Sequence, residues 1–157
     1  HYNESIRPAV MREWERFRQF LQRHELGMPA ITQCEVTYVN HLEIGKGWKS
    51  LADLPDVFSG WSGRTSGRFL PVPESVTLNV RYMLPDKKGR LRISASPAIR
   101  REDAIELIHL ELTARGYPGA SDDKSVFEWI DMGREWIVRG FTDFTSEKMH
   151  AVWSRTQ

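Results

Sequence analysis

The chain has 157 residues and a mass of 18.3 kDa, enough to enclose a core without metals or disulfides. Apolar residues make up 40% and charged residues 27%, a balance that excludes a disordered segment. The formal net charge of +1 argues against a general nucleic-acid binder, which carries a large basic excess.

Residues 7–26 are expected to form an amphipathic helix. Val10, Trp14, Phe17 and Leu21 recur at helical spacing, arginines occupy the other faces, and Gly27 and Pro29 supply the stop. From Thr32 the period changes to two. Cys34, Val36, Tyr38 and Leu42 alternate with Glu35, Thr37, His41 and Glu43, which predicts a strand with one core face and one polar face. Residues 45–74 carry three Pro and five Gly and read as a flap-like excursion, in which Ser50 and Asp53 are placed to cap a short helix. Val76, Leu78, Val80, Tyr82 and Leu84 then alternate, a turn follows at 85–89, and Leu91, Ile93 and Ala95 resume the pattern. That is a β-hairpin, with Pro97 expected to end its second strand. Ile108, Leu110, Leu112 and Ala114 alternate too regularly for a helix and predict a further strand. Val126, Trp129, Ile130, Gly133, Trp136 and Ile137 form a helical stripe after a cap at Ser121 or Asp122, with Gly133 expected to let the helix approach the sheet. Thr145 is placed to cap a last short helix.

Strands that cluster rather than alternate with helices predict an α+β fold. The expectation is one domain over 1–157, a mainly antiparallel four-stranded sheet backed on one face by an N-terminal and a C-terminal helix. Its opposite face should be polar and carry Glu35, His41, Arg81, Arg92, His109 and Glu111. No apolar run approaches the ~18 residues of a membrane span and no signal-peptide pattern opens the chain, so a cytoplasmic protein without membrane contact is expected.

Two triplets, His41-Leu42-Glu43 and His109-Leu110-Glu111, each put an imidazole and a carboxylate on one strand face. If the strands are neighbours, His41, Glu43, His109 and Glu111 make a ligand set acceptable to zinc or iron. The plainer reading is a solvated sheet surface with cross-strand pairs to Arg81 and Arg92. Other motifs fail. The single Cys34 excludes an intrachain disulfide, a multi-cysteine zinc site and the Pro-Cys-x-x-Cys half of a nucleobase deaminase. Gly60–Gly63 is a residue short of a nucleophile elbow, and the run 63–68 lacks the P-loop lysine. No enzyme signature survives and no cofactor is implied. The excursion mixes Trp48 and Trp61 with Arg64 and Arg68, residue types that anchor protein interfaces or stack on bases. Trp153 is a further candidate contact, for a second chain. Periodicity assigns Trp14, Trp129 and Trp136 to the core.

Gln33–His41 (QCEVTYVNH), Leu110–Gly116 (LELTARG) and Arg139–Thr145 (RGFTDFT) with His150 and Trp153 resemble the signatures of a sporadically distributed bacterial family of uncharacterised proteins. Its members are longer, so the resemblance implies that this chain is the C-terminal portion of such a protein and that an N-terminal segment precedes it, as does an opening His1 without methionine. It brings no activity, cofactor or catalytic residue. The leading expectation is a non-catalytic interaction module, binding a second copy, another segment or another protein. The alternatives are a small-ligand or metal-dependent activity on the polar face and nucleic-acid contact through the flap.

Overall fold

A computed structural model describes residues 1–61 and 69–153. The chain divides into two compact units, His1–Ile31 and Thr32–Gln157. The first is a turn of π-helix followed by α1 (Arg7–Arg23), which has Pro8 in its first turn. Of the stripe expected to be core, Leu21 is buried and Trp14 half-buried, whereas Val10 and Phe17 are 46% and 43% exposed.

The second unit is a four-stranded antiparallel sheet with two C-terminal helices, an α+β arrangement. Its strands are β1 (Cys34–Glu43), β2 (Leu78–Met83), β3 (Gly89–Ile99) and β4 (Glu106–Gly116), in the order β1-β4-β3-β2. Burial follows the predicted alternation in β1 and β4: Cys34, Leu42, Leu110, Leu112 and Ala114 are buried, while Glu35, Thr37 and His41 are exposed. Pro97 does not end β3, which pairs with β4 through Ile99, with Pro97 opposite Ile108. Pairing with β2 stops at Ala95, so beyond it, among the described residues, β3 has a strand neighbour on one side only, a position where a strand tolerates proline.

The inner face is covered by α3 (Asp123–Phe144), which runs across β1, β4 and β3. Of the two candidate caps, Asp122 is used, its Oδ1 accepting from Ser125 N–H at 2.9 Å. Two glycines set the approach. A Cβ on Gly133 would lie 3.3 Å from Ala114 Cβ, and one on Gly140, a position the sequence reading passed over, 2.9 Å from Leu91 Cδ2. The cap of α4 (Glu147–Val152) is Ser146, which accepts from Met149 N–H, rather than Thr145. Thr145 is instead buried, donating to Phe141 O and hydrogen-bonded to His150 Nε2 at 2.8 Å.

Where the β2–β3 turn meets the end of β4, Lys88 O accepts from Tyr117 N–H and from the Trp129 indole, both at 3.1 Å. A Cβ on Gly116 would stand 1.9 Å from that same carbonyl. Because the obstacle is backbone and cannot rotate away, Gly116→Ala is expected to cost about 3 kcal/mol or more in chemical denaturation. Gly27→Ala, with nothing within 4 Å of its Cβ, serves as the control and should stay within about 0.5 kcal/mol.

Candidate functional site

The outer face of the sheet is polar as expected, and register brings its histidines together. His41 lies directly opposite His109 on neighbouring strands, with ring centroids 5.6 Å apart. Glu111 Oε2 is 3.7 Å from His109 Nε2, and its other oxygen accepts from Thr113, whose hydroxyl lies 3.0 Å from that of Thr37. The fourth expected metal ligand is elsewhere. Glu43 stands opposite Leu107 at the strand end, 2.8 Å from Arg100 Nη1 and 2.7 Å from Lys46 Nζ. Arg100 in turn holds Asp103 through two nitrogens. These cations fix Glu43 away from the imidazoles, and among the described residues no group of three or more His, Cys, Asp or Glu is placed to hold a metal ion. The four-residue metal site is therefore not assembled. Hydrogen bonds from Lys46 and Arg100 hold the Glu43 carboxyl below its usual range. A carboxylate depressed in this way contributes stability that is present above its unfolded-state pKa and lost as pH falls through the folded value. In Arg100→Ala, NMR-detected titration of Glu43 should move up towards the ordinary value without reaching it, because Lys46 remains.

The rest of the polar face is paired across strands or turned to solvent. Glu35 accepts from Arg115 Nε at 2.5 Å, and Arg92 donates to Asn79 Oδ1 at 3.2 Å. Arg81 lies directly opposite Arg92, an arrangement of like charges that disfavours the pair.

The flap residues separate. Trp48 is 5% exposed and belongs to the core, so it is not an exposed anchor. It is held there by its neighbours. Gly47 has φ +93° and packs on Met149, Ser50 and Asp53 form the predicted capping box, and Leu54 and Val57 of α2 (Leu54–Val57) are buried with Phe58. Hydrogen bonds from Lys49 and Ser50 N–H lower the Asp53 pKa. Phe69, by contrast, is 93% exposed. Arg64 and Arg68 lie outside the described residues. Trp153 is half-buried, its ring 5.6 Å from Phe141 and 6.4 Å from His150.

A cleft of about 890 Å³ lies on the inner side of the sheet. Its floor is Leu78, Val80 and Tyr82 of β2 with Leu91 and Ile93 of β3. Trp136 and Gly140 of α3 form one wall, Phe58 and Trp61 close an end, and the charged groups of Arg139 and Asp143 also line it. Trp136 is thus a half-buried cleft wall rather than core. The cleft arises because α3 is seated on β1, β4 and β3, while sheet twist turns β2 away from the helix. The sequence carried one signal for it, in that β2 alternates apolar residues although it is an edge strand; which helix would fail to cover them was not encoded locally.

No family model matches the chain, and no curated protein or solved structure matches it significantly. No helix among the described residues is long and apolar enough to cross a membrane.

Proposed function

We propose that the protein is a non-catalytic interaction module that receives a protein segment at the cleft and along the open edge of β2. The observation that carries this reading is the coincidence of the two features. A cleft of about 890 Å³ lined mainly by apolar residues runs beside a strand that, among the described residues, has a hydrogen-bonded neighbour on one side only. A sheet edge next to an apolar groove is the arrangement by which extended segments are bound, backbone to backbone, with alternate side chains entering the groove. Trp61, Trp136 and Tyr82 provide large rings of the type that dominates binding energy. The lack of a catalytic motif in the sequence and the capture of Glu43 by Lys46 and Arg100 support a binding role over chemistry. The family resemblance, which brings no activity, is compatible with it.

A second reading, a small anionic ligand on the polar face, is favoured by Arg81 standing opposite Arg92. Nucleic-acid contact through the flap rests on Arg64 and Arg68 and gains no support from the described residues.

The test is selection of extended peptides from a displayed library against isotopically labelled protein. Bound peptides should shift the amides of β2 and of the C-terminal half of α3. Trp136→Ala and Tyr82→Ala should each weaken binding about tenfold or more, whereas Arg115→Ala on the opposite face should leave it unchanged. Peptides that shift only the amides around Arg81 and Arg92, or none, would count against the cleft.

A further inference from the structure

Resting on that reading of the β2 edge, we infer that the segment it receives is an acidic strand of a partner protein, in which carboxylates alternate with apolar residues. The argument is one of complementary charge. Opposed residues of an antiparallel pair share a face, so the outer face reads directly across the strands. Arg81 of β2 lies opposite Arg92 of β3, and Arg90 of β3 lies opposite Arg115 of β4. All four are exposed. Arg115 has a carboxylate partner in Glu35. Arg92 donates to Asn79 Oδ1, and Arg90 to Met83 Sδ and Gly89 O. Among the described residues no carboxylate pairs with Arg81, Arg90 or Arg92. Like charges set opposite one another disfavour the pairing, and the chain leaves this corner of its sheet without a counter-charge.

A strand added at the open edge of β2 reaches that corner. Its residue opposite Arg81 falls on the outer face, with Cβ atoms roughly 5 Å apart, and the residues two places to either side lie roughly 7–8 Å away, within reach of long side chains. Carboxylates at these outward positions stand beside Arg81, with Arg92 behind it. The alternate residues point inward, where Val80 and Tyr82 line the cleft, and there apolar side chains fit. Other occupants meet only part of this. A second copy of β2 adds its own arginines to the corner. A nucleic-acid strand supplies negative charge, but neither peptide groups for the edge nor apolar side chains for the cleft. The other edge strand, β1, suits an acidic segment poorly, since its outward residues begin with Glu35 and end with Glu43 and α3 packs beneath it.

The test uses synthetic peptides with one alternating apolar pattern that differ only at the outward positions, which carry Glu, Gln or Lys. By amide shifts of labelled protein, the Glu peptide should bind β2 about tenfold more tightly than the Lys peptide, with Gln between them. The gap should narrow as salt is raised, and hydrogen exchange should slow at the β2 amides that are not bonded to β3. Arg81→Gln should remove most of the preference and Arg81→Glu should reverse it, each with an unchanged circular-dichroism spectrum because the side chain is exposed. Equal binding of the three peptides at β2, or a Glu preference untouched in both variants, would overturn the inference and leave the cleft reading standing. A Glu preference without slowed exchange would mean charge attraction at the surface alone and would overturn both. If no peptide engages β2, both fall as well.

Discussion

The seating of α3 on the sheet is the constraint from which the rest of the molecule follows. Two glycines one heptad apart bring the helix against Ala114 and Leu91, and a helix that close to a twisted sheet cannot follow the twist out to the last strand. The tight contact over β4 and β3 and the cleft beneath β2 are therefore two ends of one geometric fact. A side chain at Gly140 would press on the end of Leu91, and one at Gly133 on Trp129 and Ala114.

The two faces of the sheet are organised on different terms. Inside, stability comes from apolar burial around Ile93, Leu110, Leu112 and Ile137. Outside, neighbouring side chains of β1 and β4 satisfy one another in short pairs, Glu35 with Arg115 and Thr37 with Thr113, on a surface where such pairs contribute little individually. That face is locally self-consistent around its centre, and like charges oppose one another elsewhere on it, Arg81 against Arg92 and Arg90 against Arg115.

What was legible in the sequence was periodic. The two-residue alternation of β1 and β4 fixed which side chains face the core, and even the opposition of His41 and His109 was conditional only on the strands being neighbours. What was not legible depended on partners distant along the chain. Glu43 looks like a ligand beside His41 until Arg100, far along the sequence, is seen to hold it. Trp48 sits in an irregular, glycine-rich stretch that resembles a surface flap, and its burial shows it to be interior. Trp136 lies on a correct helical stripe, but the stripe outruns the width of sheet that α3 covers. Thr145 and Ser146 are chemically similar caps, and burial against Phe141 and His150 decides between them.

The junction of α3 and α4 has a further consequence. Phe58 forms an isolated antiparallel bridge with Thr145, Ser59 N–H donates to Phe144 O at 3.0 Å, Ser146 N–H donates to Val57 O at 2.9 Å, and Lys148 pairs with Asp56 at 2.7 Å. The early part of the excursion is thereby stitched to the end of the main helix. The Ser59 amide is held by that helix end, so its exchange is expected to follow the opening of the C-terminal helices. The chain's least regular stretch thus begins inside its structural core.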